Sequence, residues 1–250
     1  MEESHNELPV CTILKREWRA YFNSPVAYVF IVIFLALAGF FTFNVGRFYE
    51  AGQASLDRSF FWHPWIYLIL IPAVSMRLWA EERRTGTLEL LLTFPVTTAQ
   101  AIAGKFIAAW LFILLALVLT FPVVLTAFYL GSPDPGPIIA GYIGSALLAG
   151  AYLAVGMFTS AITRNQVISF ILSAVIGLFL LLAGYPPVTD FLYGVAPSWV
   201  VETVAGFSFS THFEQMQRGI IDLRDIVYFA SVMGFMLLAT HVTLNNRRTK

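Results

Sequence analysis

The chain has 250 residues, of which 58% are hydrophobic, 16% aromatic and only 12% charged, far from the roughly 45–50% apolar and about 25% charged residues of a soluble domain. Lys and Arg number 15 and so do Asp and Glu, for a net charge of zero, and no long basic run occurs, so nothing favours nucleic acid as a partner. The single cysteine, Cys11, excludes an internal disulfide and a cysteine-based metal cluster.

Such an apolar excess belongs in lipid. In chain order, the first element is expected over 8–22, within "LPVCTILKREWRAYFNSP". On a helix, Val10, Leu14, Trp18 and Tyr21 share one stripe, and Lys15, Arg16 and Arg19 lie on the other side. Basic on one face and aromatic-aliphatic on the other is the composition of a helix lying in a membrane interface, with Trp18 and the three basic residues as anchors. Asn23-Ser24-Pro25 supplies a turn out of it. The apolar run that follows has no small-x-small cleavage site, so it is expected to be a retained span, not a removed signal peptide.

A helix needs about 20 apolar residues to cross the hydrocarbon layer. Asp, Glu, Lys and Arg are absent from 20–46, 59–76, 106–133, 135–163, 165–189 and 226–246. Six transmembrane helices are therefore predicted, near 26–45, 59–79, 103–130, 138–162, 167–184 and 226–244. The second reaches span length only if Arg77 snorkels to the headgroups. Pro72 and Pro122 predict kinks in the second and third. With both termini inside, the inner segments hold eleven basic residues, Lys15, Arg16, Arg19, Arg77, Arg83, Arg84, Lys105, Arg164, Arg247, Arg248 and Lys250, against four outside, Arg47, Arg58, Arg218 and Arg224. That asymmetry predicts cytoplasmic N and C termini. Trp62, Trp65, Trp79, Trp110 and Trp199 fall near predicted span ends or in a loop, the pattern of interfacial belts.

The loop after the second span is "WAEERRTGTLELLLTFPVT", Trp79 to Thr97. Four consecutive charges, Glu81, Glu82, Arg83 and Arg84, precede a break at Thr85-Gly86-Thr87, and Leu88, Leu91 and Leu92 then recur at helical spacing until Pro95. This predicts a surface helix of about two turns, too short to be stable alone and so held by something it docks onto. In the fourth span, Gly141, Ser145 and Ala149 are four apart, which predicts a close helix-packing face within or between subunits. The connection to the fifth span is only Thr163 to Gln166, implying an antiparallel pair. Segment 185–225 is apolar and aromatic but broken by Gly194, Pro197, Glu202 and Gly206, as expected of short re-entrant or surface-lying helices. Within it, Thr211 and Glu214 have capping-box spacing, Gly219 is placed to close that helix, and Asp222 to begin the last span.

Several chemistries are missing. Apart from Arg77 no span is expected to carry a charged residue at depth, so no proton relay is visible. His63 and His241 are read as interfacial hydrogen-bonding residues. There is no zinc-protease or serine-nucleophile motif. Gly104-Lys105 is followed by Phe, with Ala99 where a P-loop needs its first glycine, so the chain is not expected to be an enzyme.

The stretch "EERRTGTLELLLTFPVT" resembles the E-x-x-x-G-T-L-E-L-L-L-x-x-P-V signature of ABC-2-type transporter permeases, here Glu82 to Val96. "REWRAYFNSPVAYVF" (Arg16 to Phe30), "SAITRNQVISF" (Ser160 to Phe170) and "FEQMQRGIIDLRDIVYF" (Phe213 to Phe229) are similar to the gliding-motility-type branch of these permeases. The resemblance implies the transmembrane subunit of a type V ABC exporter: one permease domain over 1–250, all-α, in a bacterial inner membrane, paired with a second permease copy or paralogue. It further implies cytoplasmic ATPase subunits that bind ATP and Mg, no cofactor or metal on this chain, and an auxiliary membrane protein with an external domain. A coupling helix over Thr87 to Thr93 would dock into the ATPase, with Glu81, Glu82, Arg83, Arg84, Gly86, Thr87, Leu88, Glu89, Leu91 and Leu92 as coupling residues. Arg164 and Asn165 would make a second, smaller contact. The competing readings are a secondary transporter or channel working without an ATPase, and a membrane-embedded enzyme. Phe40, Phe41 and Phe43 hint at an amphipathic cargo, and transmission of force with no cargo fits the same residues.

Overall fold

The computed structural model describes residues 9–50, 55–86 and 97–248. Among them there are helices and turns but no strand, so the protein is an all-α integral membrane protein. Helix α1 (Pro9–Phe22) precedes α2 (Pro25–Phe40), which ends in a π-turn over Phe41–Val45. Then come α3 (Asp57–Ser75), the short α4 (Ala80–Thr85), α5 (Thr98–Val118), α6 (Phe121–Leu130), α7 (Pro135–Ile162) and α8 (Gln166–Leu182). Three short helices follow, α9 (Pro186–Tyr193), α10 (Ser198–Gly206) and α11 (Phe209–Gln217), before the terminal α12 (Leu223–Arg248).

Among the described residues, five stretches are long and apolar enough to cross a membrane: Pro25–Val45, Asp57–Thr85, Thr98–Leu130, Pro135–Ile162 and Leu223–Asn246. A sixth is reached if α8 and α9, bent by 68° at the break between them, count as one span. The helix starts are written locally. Ser24, Asp134 and Asn165 accept backbone N–H groups at the starts of α2, α7 and α8, and Thr97 and Gln100 bond reciprocally as a capping box for α5. The third span breaks at Leu119 and Thr120, just ahead of Pro122, where the Thr120 hydroxyl donates to the Leu117 carbonyl at 2.6 Å. Helix α3, by contrast, continues through both Pro64 and Pro72 to Ser75.

Helix α7 is the centre of the bundle, packed on by α3, α5, α8, α11 and α12. Its small residues let the neighbours come close. A Cβ on Gly141 would lie 2.5 Å from the Phe60 ring of α3; Ser145 bonds both His63 and Tyr67 of α3 at 2.7 Å; and Ala149 is fully buried. The three residues thus face the chain's own interior. Helix α1 lies across the start of α5, where a Cβ on Gly104 would meet Ile13 at 2.8 Å, and Tyr21 stacks on Phe112 at 4.9 Å between ring centroids.

Three expectations need correction. His63 is buried, not interfacial, because Ser145 supplies the hydrogen bond that water would otherwise provide. Trp79 is likewise buried, under the ammonium of Lys105 at 5.2 Å from its ring. The cap of α11 is Ser208, three residues before Thr211, because the Ser208 hydroxyl accepts from Ser210 N while bonding the end of α8 at Leu181. The end of that helix is as read: Gly219 adopts φ +88°, and Asp222 accepts the Arg224 N–H at the start of α12.

Candidate functional site

At the face of the bundle that carries α1, three elements meet on one buried cation. Lys105, in the second turn of α5, is only 4% exposed. Its ammonium lies 2.7 Å from Glu82 of α4 and 3.3 Å from Glu17 of α1. Glu17 also accepts from Arg16 at 3.0 Å. A charge removed from water has to be paired and hydrogen-bonded to be tolerated, and here the pairing ties α1, α4 and α5 to one point. Burial alone would raise the Glu17 carboxyl, but Lys105 and Arg16 reverse that and hold it below its ordinary value.

The other side of α4 is clamped to the turn between α7 and α8. The Ser160 hydroxyl donates to the Met76 carbonyl and accepts the backbone N–H groups of Trp79 and Ala80, all at 3.0 Å. One side chain thereby satisfies both donors at the start of α4, which has no side-chain cap of its own. Arg83 reaches from α4 to the carbonyls of Ala161, at 2.7 Å, and Thr163, at 2.9 Å. Helix α4 ends with the Thr85 hydroxyl donating back to the Glu81 carbonyl and Gly86 at φ +74°. The four charges therefore lie on a helical turn, not in an open loop. A displacement of Gly86 would be carried through Glu82 to α1 and α5 and through Arg83 to α7.

The predicted site residues fall as follows. Lys15, Arg16 and Arg19 are exposed along α1, and Trp18 is half-buried against the core. Glu82 and Arg83 are half-buried and Glu81 and Arg84 exposed. Arg164 is exposed in the α7–α8 turn, and Asn165 caps α8. Thr87, Leu88, Glu89, Leu91 and Leu92 lie outside the described residues. Sequence reasoning read Lys105 only as a topology-setting charge and missed its pairing, although one signal was present. Glu17 sits among Val10, Leu14, Trp18 and Tyr21, an acid on the apolar side of an otherwise basic helix.

A second buried pair of ionisable side chains, also missed, stands at the opposite face. His212 of α11 contacts Asp225 of α12 at 2.6 Å through Nδ1 and the Gly206 carbonyl at 3.1 Å through Nε2, and its ring stacks on Tyr228 at 3.9 Å. A carbonyl only accepts, so Nε2–H donates to Gly206 and Nδ1 is the nitrogen that faces the Asp225 carboxyl.

Comparison with known proteins places this arrangement. A family model described as "ABC-2 family transporter protein" matches residues 65–216, well over half of the chain. The chain belongs to that family. It is therefore a multi-pass membrane protein and the permease component of an ABC transporter, a family whose members normally work with a cytoplasmic ATPase. The match runs from within α3 to the end of α11, so it contains Glu82, Lys105, Ser160 and the α7–α8 turn, while Glu17 stands before it. No curated protein matches the permease.

Proposed function

We propose that this permease is the transmembrane half of an ATP-driven exporter of the gliding-motility-type branch, one domain over 1–250 in a bacterial inner membrane with both termini cytoplasmic. Two cytoplasmic ATPase subunits, holding ATP and Mg, act on it. A second permease copy or paralogue completes the pore, and an auxiliary membrane protein with an external domain joins the complex. Closure of the ATPase dimer presses on a coupling helix at Thr87 to Thr93, with a smaller contact at Arg164 and Asn165, and the displacement drives export or transmits force across the membrane.

The observation that carries this reading is the clamp on α4. A segment that only fixed topology would need charge and nothing more. Here the residues leading directly into 87–96 are locked by Lys105, Ser160 and Arg83 to α1, α5 and α7, as a rigid lever requires. Nothing of the kind favours a self-contained transporter.

The test is affinity purification of the tagged chain from its native membrane in mild detergent, with mass spectrometry, alongside the Leu88→Asp, Leu91→Asp double variant. A cytoplasmic ATPase should co-purify with the parent chain and be lost from the variant. A folded, abundant parent chain with no ATPase attached would overturn the coupling reading.

A further inference from the structure

A half-open cavity of about 450 Å³ lies between α1, α2, α3 and α5, beside the Lys105 cluster. One end is apolar, walled by Val26, Val29, Phe30 and Ile33 of α2 and Val74 of α3. Of these, Val26, Val29 and Ile33 are exposed, so this end is continuous with the lipid-facing side of the first span. The other end is charged. Lys105, Glu17 and Glu82 line it but are committed to one another. Arg77 and Glu81 also line it and are exposed. Among the described residues neither side chain has an ion-pair or hydrogen-bond partner.

We infer that this cavity binds a membrane phospholipid with a zwitterionic, primary-ammonium headgroup, drawn from the leaflet in which α1 lies. Arg77 takes the phosphate, Glu81 takes the ammonium, and an acyl chain lies along Val26, Val29 and Ile33. The shape is that of a ligand site, with apolar walls and few polar groups at one end. The free charges are one cation, suited to bidentate recognition of phosphate, and one carboxylate, which accepts hydrogen bonds from a primary ammonium but not from a quaternary one. A purely anionic headgroup would place its second polar end against Glu81 with no cation to offset it. The inference does not depend on the ATPase reading, since binding is measured on the chain alone.

The test is native mass spectrometry of the delipidated chain with an equimolar mixture of phosphatidylethanolamine, phosphatidylcholine and phosphatidylglycerol of identical acyl chains. Phosphatidylethanolamine should be retained about tenfold over the other two, the effect of one charge-assisted contact. Arg77→Gln should lower retention of all three. Glu81→Gln should remove the preference for ethanolamine over both choline and glycerol headgroups while leaving the Arg77 contact to phosphate in place. Ile33→Trp, which fills the apolar arm without touching a charge, should also lower retention. Both charged side chains are exposed and, among the described residues, make no ion pair or hydrogen bond, so these variants should elute and melt like the parent, which keeps a lost adduct from being mistaken for misfolding. Equal or better retention of phosphatidylglycerol, or indifference to Glu81→Gln, would sink the assignment. So would a photo-crosslinker at Val29 that captures a second copy of the chain or another protein instead of added lipid.

Discussion

The two faces of the bundle both bury a pair of ionisable side chains, but they use it differently. At the α1 face, Lys105 reaches Glu17, 88 residues earlier in the chain, as well as Glu82, and so fastens three elements that the sequence keeps far apart. At the opposite face His212 and Asp225 are 13 residues apart and fasten α11 to the first turn of the next helix. The first arrangement is a junction through which motion of one element reaches several others; the second is a local latch. The surroundings agree. Helix α4 is locked by Ser160 and Arg83, whereas α9 has no buried residue at all and packs chiefly against α10. This contrast separates a stiff end, clamped to several other helices, from a loosely attached end whose short apolar helices leave large side chains exposed.

The comparison is broken most directly at Lys105. Replacing it with methionine removes from Glu17 and Glu82 the buried cation they share, and should cost about 3–5 kcal/mol. Thermal melting in detergent would show it, and adding Glu17→Gln and Glu82→Gln should recover most of the loss, since the penalty lies in unpaired charge and not in lost packing. Acid should act in the same sense. Glu17 has its pKa lowered in the folded state, so its contribution is fully present at neutral pH and is lost as pH falls from about 4 downward through the lowered value. A melting temperature that falls below that point in the parent but not in Glu17→Gln would tie the effect to this carboxyl.

A smaller effect is expected at Ser160. Ser160→Ala strips the acceptor from two backbone N–H groups at once and should cost about 1–3 kcal/mol, with faster proteolysis near Gly86 as the specific sign that α4 has loosened. At the latch, Asp225→Asn keeps the shape and one hydrogen bond to His212 and should cost about 1 kcal/mol. Its signature is local: faster hydrogen exchange in α11 and unchanged exchange in α4 and α5. Spread of the effect to the α1 face would erase the distinction between junction and latch.

Much of the scaffold is legible in the sequence because lipid makes it so. Uncharged runs give the spans, a proline gives the break between α5 and α6, and short-range signals such as Asn23-Ser24-Pro25, Gly219 and Asp222 give helix ends. The site is harder to read, for a physical reason. Lys105 near the start of an apolar run looks like any residue that snorkels to the headgroups, and only the crossing of α1 over Gly104 brings Glu17 down onto it. Ser160 and Arg83 are invisible in the same way, since their partners lie about 80 residues away. His212 passes unnoticed because its mate stands on a different helix. Thr211 misleads because Ser208 competes for the same helix start and also bonds Leu181.

The smallest expected effect lies in the helices that the bundle holds least. Trp199 in α10 is 68% exposed, and the Thr203 hydroxyl donates to its backbone carbonyl. Trp199→Ala should therefore change the melting temperature of the purified chain by no more than about 0.5 kcal/mol of stability allows. The same substitution in membranes asks a different question. A side chain this large, exposed as Phe191 and Phe207 also are, removes much more apolar area from water when lipid or another protein covers it. A variant unchanged in detergent but more readily proteolysed in membranes would place the work of α9 and α10 outside the chain's own fold. A variant already unstable in detergent would mean that this end is held as firmly as the α1 face, and the contrast between stiff and loose ends would fall.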